Sequence, residues 1–269
     1  MLIVSSKARF ILLSPMYSAE RKQEILLMLE KNTRVHVDQL ANYFGVSRSS
    51  IRRDLNHLHE DGLLSRTYGG AVALHNGSAE APFIERQVAN FAEKDRIGRA
   101  AVKLIDEGDT IFIDGGTTTE CMTPYLLERR ITVVTYGLNI INQLSCSKSI
   151  SLIAIGGTLH PHSLTFGGAL SLGAIQSSNI RFDKAFMAAS GISAVDGITN
   201  ASLEEVPIKR KAIEAGQCNI LLVDSSKIGI TRAAYIAPLP DVHRVITGAQ
   251  ASSSQIEAIR TLPMVVDLV

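Results

Sequence analysis

"SRSSIRRDL", residues 47–55, sets three arginines among three small hydroxyl side chains, just after a glycine turn at Gly45. Ser47 has the chemistry of a helix cap, and a helix is expected through "SRSSIRRDLNHLHEDG", closed by Gly62. On it Ile51, Leu55 and Leu58 fall at i, i+4 and i+7 and face a core. At about 100° per residue, Ser49, Arg52, Arg53 and Asn56 project to the other side. A solvated, incidentally charged face is the plain alternative. Against it, this face lacks the Glu/Lys pairing of an ordinary exposed helix.

The neighbouring text supports a specific fold. "SAERKQEILLMLEKN" (18–32) reads as a helix with Ser18 and Glu20 at its start and Ile25, Leu26, Met28 and Leu29 as its apolar side. "TRVHV" is a short β-prone link. "VDQLANYFG" (37–45) reads as a second helix, capped by Asp38 and stopped by Gly45. After the arginine helix, "LLSRTYGGAVAL" (63–74) predicts a β-hairpin turning at Gly69-Gly70. Three short helices and a hairpin are the outline of a winged helix-turn-helix, residues 18–75. Arg48, Ser49, Ser50, Arg52, Arg53 and Asn56 on the helix, with Arg66 and Tyr68 on the wing, are the candidate contacts to double-stranded DNA.

The charge distribution fits a binding domain followed by something else. Residues 1–75 hold 10 Lys+Arg against 7 Asp+Glu, and the remaining residues 17 against 19, so a chain of net charge +1 divides into +3 and −2. The 269 residues exceed what one core usually needs. Cys121, Cys146 and Cys218 form neither a disulfide framework nor a zinc pattern, which makes a reducing cytoplasm the default location. No apolar run has the length of a membrane span. Residues 1–15, ahead of Met16, read as an extension or a misplaced start.

Residues 76–92 lose periodicity and are expected to be a linker. From 93 to 269 the chain alternates. A helix "EKDRIGRAAVKLIDEGD" precedes the strand "TIFIDGG", the helix "TTECMTPYLLERR", the strand "ITVVTYG", the helix "LNIINQLSC" and the strand "ISLIAIGG", with similar segments to the end. Strands rich in Ile and Val without polar alternation indicate a Rossmann-like α/β sheet covered on both faces. Polar groups collect around the strand ends: Asp114 to Thr119 and Gly156-Gly157 follow strands, Asp183-Lys184 starts a third, Glu204 and Glu205 with Lys209 open a helix, and Asp224, Ser226 and Lys227 stand at a strand's end. Ligands of open α/β sheets bind beyond the carboxyl ends of strands, and these groups are expected there. Singly, each has a plain reading: Gly-Gly-Thr as a tight turn, Lys209 as an i+4 partner of Glu205, Asp224 as a turn cap. The missing P-loop lysine excludes a Walker motif. His160-Pro161-His162 lacks a third ligand and reads as a loop or pocket wall, so no metal or cofactor is expected.

The segment "RKQEILLMLEKNTRVHVDQLANYFGVSRSSIRRDLNHLHEDGLLSRTYGGAV" resembles the N-terminal domain of the DeoR family of bacterial transcriptional regulators, and the resemblance extends to the end of the chain. It implies DNA binding and a second domain similar in fold to ribose-5-phosphate isomerase and the CoA transferases, sensing a phosphorylated sugar or sugar alcohol. Carried over on "DGGTTT", "GGT", "FDKAF", "E…K" and "DSSK.G", the effector residues would be Asp114, Gly115, Gly116, Thr117, Thr118, Thr119, Gly156, Gly157, Asp183, Lys184, Glu205, Lys209, Asp224 and Lys227, with Tyr136 added from the departing stretch "TYGLN". Two positions depart from the family pattern and bear on pocket shape. "TYGLN" (135–139) stands where Thr-Asn-Ser is frequent, and Ile228 where an aromatic is common.

The expected function is therefore a homo-oligomeric regulator, dimer or tetramer, repressing a carbohydrate-catabolic operon and responding to a phosphorylated effector. No catalytic residue is assigned. An alternative is a sugar-phosphate isomerase-like enzyme with a DNA-binding appendix, Glu205 serving as base. A structural DNA protein is the third reading, disfavoured by the small net charge.

Overall fold

The computed structural model describes residues 18–32, 34–60, 64–67, 69–73 and 80–269. Two compact units divide the chain, Met1–Asn76 and Gly77–Val269. The expectations for residues 1–15, Gly62 and Tyr68 lie outside the described residues.

The first unit runs α1 (Ser18–Asn32), β1 (Arg34–His36), α2 (Val37–Phe44), α3 (Arg48–Glu60), β2 (Leu64–Thr67) and β3 (Gly70–Ala73). Its three strands form an antiparallel sheet in the order β1-β3-β2, so the short link after α1 is a true strand. The cap of α2 is His36, two residues before the Asp38 expected from the sequence. The Val37 amide donates to Gly69 O at 2.9 Å, so the helix springs directly from β1, and Asp38 lies in its first turn rather than at its cap. Gly45 ends α2 at φ +63°, a conformation that favours glycine. Ser47 Oγ accepts from the Ser50 amide at 3.2 Å, the expected cap of α3. Ile51, Leu55 and Leu58 are buried among Ile25, Leu29, Leu40, Leu64 and Ala71.

The second unit contains a seven-stranded parallel sheet. Its strands are β4 (Thr110–Ile113), β5 (Thr132–Thr135), β6 (Ser151–Ala154), β9 (Phe182–Met187), β12 (Gly216–Leu222), β14 (Arg244–Thr247) and β15 (Val265–Leu268). They lie in the order β15-β14-β12-β9-β4-β5-β6. The hairpin β7 (Thr158–His160) and β8 (Thr165–Gly167), and a small sheet of β10 (Gly191–Ser193), β11 (Gly197–Asn200) and β13 (Ala234–Ala237), complete the strands.

Alternate strand residues enter two different cores. Phe112, Val134, Leu221 and Val245 pack under α8 (Gly168–Ser177), α9 (Val206–Ala215) and α10 (Ser253–Arg260). Ile111, Ile113, Val133, Ile220 and Leu222 pack with Ile97 and Ala101 of α5 (Phe91–Val102) and Ile140 and Leu144 of α7 (Leu138–Leu144). Both faces being apolar, the strands show no polar alternation.

Two expectations need correction. Within the supposed linker, residues 80–92 hold α4 (Phe83–Val88) and the first turn of α5, with Phe83 buried. A six-residue helix is too short to show periodicity in the sequence. The helix expected over "TTECMTPYLLERR" is only α6 (Thr117–Glu120), followed by a separate turn at Thr123–Tyr125. Pro124 lacks the amide a continuing helix would use.

Candidate functional site

In the first unit, Ser49, Arg52, Arg53 and Asn56 are exposed on α3, Arg48 is exposed at its start, and Ser50 is half-buried. Neither Arg52 nor Arg53 makes an ion pair among the described residues. Arg66 Nη1 donates to Arg52 O at 3.3 Å, tying the hairpin to the helix. Asp54, the acidic residue inside "IRRDL", points inward instead. Its carboxylate takes Arg21 Nε at 2.6 Å and Ser18 Oγ at 2.7 Å, joining α1 to α3 in a buried pair.

In the second unit the order in which the chain adds parallel strands reverses between β4 and β9. Strands to one side run β4-β5-β6 and to the other β9-β12-β14-β15, so a crevice opens beyond the carboxyl ends of β4 and β9. Asp114 follows β4 and lies at its base, 1% exposed. Its Oδ2 accepts from the Ala188 amide at 2.8 Å and from Lys209 Nζ at 2.7 Å, and its Oδ1 accepts from the Tyr136 hydroxyl at 2.5 Å. Lys209 also donates to Ala188 O at 3.0 Å and lies 3.6 Å from Glu205 Oε2. Glu205 accepts from Asn200 Nδ2 at 3.1 Å and Thr165 Oγ1 at 3.4 Å. Burial alone would favour a neutral Lys209, but Asp114 and Glu205 reverse that and raise its pKa. Burial, then the charges of Asp114 and Glu205, drive the Tyr136 phenol well above its ordinary value.

A second wall comes from the segment expected to be a linker. Glu80, Arg86, Ala89 and Asn90, joined by Lys94 of α5, line the crevice together with Thr117, Thr118 and Lys227. Glu80 meets Arg86 Nη1 at 3.4 Å, Lys227 Nζ at 3.2 Å and Ser190 Oγ at 2.9 Å. Burial pushes its pKa up, yet Arg86, Lys227 and the two hydrogen bonds outweigh this and hold it below the usual value. Lys94 donates to Arg86 O. Burial lowers its pKa, and Asp224 only partly offsets the effect.

Of the sequence candidates, Gly115, Gly116, Thr117, Thr118, Glu205, Lys209, Asp224 and Lys227 line this crevice. Asp114, Thr119 and Tyr136 lie beneath it. Thr119 Oγ1 is bonded to Asp114 O at 2.6 Å and Gly116 O at 2.8 Å, whereas the Thr117 and Thr118 hydroxyls bond to no other group among the described residues. The glycines serve strand packing. A Cβ on Gly116 would stand 2.4 Å from Ala188 Cβ, and one on Gly115 2.6 Å from Thr165 Cγ2.

Gly156 and Gly157 follow β6 at the sheet edge and do not line the crevice. Ser171 Oγ donates to Gly156 O at 2.7 Å there. Asp183 and Lys184 are also outside it, because they begin β9 and a parallel strand's start lies at the opposite sheet edge from its end. Asp183 accepts from the Thr110 amide at 2.8 Å, and Lys184 pairs with Asp106 at 2.9 Å and Asp109 at 2.6 Å. His160 pairs with Glu204 at 2.8 Å, while His162 Nε2 bonds Glu80 O at 2.7 Å.

The description "DeoR-like helix-turn-helix domain" matches residues 21–76, and "DeoR C terminal sensor domain" matches residues 89–249. This chain belongs to the DeoR family. It is 33% identical to the uncharacterized HTH-type transcriptional regulator YulB of Bacillus subtilis, over 91% of this chain and 94% of that one. It is equally 33% identical to the glycerol-3-phosphate regulon repressor of Escherichia coli, over 87% and 92%. A ribose 5-phosphate isomerase A structure from Methanocaldococcus jannaschii is 16% identical over 52% of this chain and 55% of that one, with a TM-score of 0.39. Among the described residues no helix is long and apolar enough to cross a membrane.

Around the crevice of this DeoR-family chain, the sequence reading missed Glu80, Arg86, Asn90, Lys94, Ser163, Thr165, Ser190 and Asn200. One signal was available for Lys94. It shares a helix face with Ile97 and Ala101, at i+3 and i+7, and a lysine on a buried stripe invites a search for a partner.

Proposed function

We propose that this DeoR-family regulator represses a carbohydrate-catabolic operon, and that a phosphorylated sugar or sugar alcohol entering the crevice weakens its hold on operator DNA. The observation that carries the reading is the convergence of Arg86, Lys94, Lys209 and Lys227 with the unoccupied Thr117 and Thr118 hydroxyls at the sheet's switch point. Cations suit a phosphate, and hydroxyls and carboxylates suit a polyol. A relative bearing the name glycerol-3-phosphate regulon repressor is consistent with such a ligand. Asp114, Lys209 and Tyr136 act here as a fixed base that shapes the crevice.

On DNA, Arg52 and Arg53 contact phosphates or guanine edges, Ser49 and Asn56 fix register, and Arg66 with Tyr68 reaches from the wing. One small helix has limited reach, so two copies bind paired half-sites. The effector acts by binding better to the conformation that cannot hold both half-sites.

The test is thermal unfolding against a panel of phosphorylated sugars and sugar alcohols, followed by DNA binding with each ligand that scores. A ligand at 100 times its dissociation constant stabilises its unit by about 2.7 kcal/mol. A phosphorylated hit that lowers DNA affinity, with its unphosphorylated analogue silent, supports the proposal. A hit that leaves DNA affinity unchanged removes the regulatory link, and turnover of the ligand would favour the isomerase-like reading.

A further inference from the structure

The crevice as it stands is too small for the ligand its chemistry favours. Its volume is about 80 Å³, whereas small-molecule pockets run from about 300 Å³ upward. Part of the space is taken by the Glu80 carboxylate. That carboxylate makes the contacts an anionic ligand would seek: Arg86 Nη1 at 3.4 Å, Lys227 Nζ at 3.2 Å and the Ser190 hydroxyl at 2.9 Å. We infer that Glu80 is an internal stand-in for the ligand's phosphate, occupying its subsite between Arg86, Lys227 and Ser190 until the effector displaces it. This deepens the proposed function and rests on it.

Charge supports the exchange. Around the crevice four cations, Arg86, Lys94, Lys209 and Lys227, face four carboxylates, Glu80, Asp114, Glu205 and Asp224, for a balance of zero. Withdrawing Glu80 leaves four against three, a net +1 in a partly buried site that then attracts an anion. Three of the carboxylates are otherwise engaged: Asp114 by Lys209, Glu205 by Asn200, and Asp224 by Asn90 Nδ2 at 3.0 Å and the Ser226 amide at 3.1 Å. Glu80 differs in having only contacts that a phosphate could replace one for one.

Its backbone is tied to the sensor unit as well: Arg86 Nε donates to Ala81 O at 2.9 Å, and Phe83 is buried. Glu80 O accepts from His162 Nε2 at 2.7 Å, and the Phe83 amide donates to His162 O at 3.0 Å. These two bonds stitch residues 80–83 to the 160–163 loop. Glu80 is also the fourth residue after the first unit ends at Asn76. The exchange then has a consequence beyond affinity: expelling Glu80 loosens residues 80–83 from the 160–163 loop.

The experiment uses the full chain with inorganic phosphate as probe, titrated by calorimetry at constant ionic strength. Glu80→Gln keeps the side chain's shape and removes the competing charge, so it should bind phosphate about tenfold more tightly than the wild type. Equal or weaker binding by Glu80→Gln overturns the inference while leaving the crevice an anion site. Phosphate binding by neither protein also overturns it, and the sugar-phosphate panel then decides the functional proposal separately. Hydrogen exchange on the wild type needs no variant: saturating phosphate should lower protection of the Phe83 amide as the segment leaves His162. Unchanged or increased protection would show that Glu80 stays in place.

Discussion

The two units use charge in opposite ways. On α3, Arg52 and Arg53 are exposed and make no ion pair among the described residues, while the crevice of the second unit holds Lys209, buried, and Lys227, half-buried, each matched by a carboxylate. Exposed cations keep their hydration until a polyanion arrives, and their effect depends on salt. Buried cations have already lost water, so their partners decide whether the unit folds and which small anion can replace a partner. The contrast teaches that the first surface is open to a large ligand at little structural cost, and the second admits a small one only by exchange.

The largest effect should come from breaking the buried side. Lys209→Met leaves Asp114 charged and buried with only the Ala188 amide and the Tyr136 hydroxyl, which should destabilise the second unit by about 3–5 kcal/mol. Calorimetric unfolding would show a lowered transition for that unit. A transition unmoved would mean the two remaining donors suffice. The sign with pH follows from Lys209's raised pKa. Its stabilising contribution is complete below about 10.5, the unfolded value, and is lost as pH rises through the higher folded value.

Breaking the exposed side should leave stability alone and strike binding. Arg52→Ala and Arg53→Ala should each weaken binding to a DNA fragment selected from a random pool by about 1–3 kcal/mol. Each should alter unfolding by less than about 0.5 kcal/mol. Where the lost contact is to a phosphate, the salt dependence should become shallower by about one ion. Unchanged affinity at moderate salt would take α3 out of the interface.

The same contrast explains what the sequence disclosed. Exposure on α3 follows from local periodicity, because Ile51, Leu55 and Leu58 fix the inner face and the arginines then have no other place to go. Asp54 escaped that reading, since its inward partner Arg21 lies 33 positions away. The crevice is the harder case. "DGGTTT", Glu205, Lys209, Asp224 and Lys227 were legible as groups after strands, and the switch-point rule placed most of them together. The rule was misapplied to Asp183 and Lys184, which lie near the start of β9 rather than beyond its carboxyl end. Glu80 and Arg86 were invisible because their segment has too few residues for a period. Their function as a wall depends on contacts to Ser190 and Lys227, more than a hundred positions downstream.

The smallest effect is the sharpest test of the comparison, because it concerns an ion pair on the exposed side. Arg48 Nε lies 2.8 Å from Asp38 Oδ1, with the two side chains 66% and 65% exposed. Surface pairs of this kind contribute about 0–1 kcal/mol, so Asp38→Asn should hardly alter unfolding of the first unit. It should instead free the Arg48 guanidinium at the start of α3 and remove a negative charge from the face proposed to meet DNA. Binding should therefore tighten by a few-fold at low salt, and the gain should shrink as salt rises. A matching loss of stability would show that the pair helps hold α2 to α3, and the division between open and matched charge would then fail at the edge of the recognition helix. Tighter binding with unchanged unfolding would extend the division to every arginine on that surface, with Asp38 acting as a weak brake on DNA affinity.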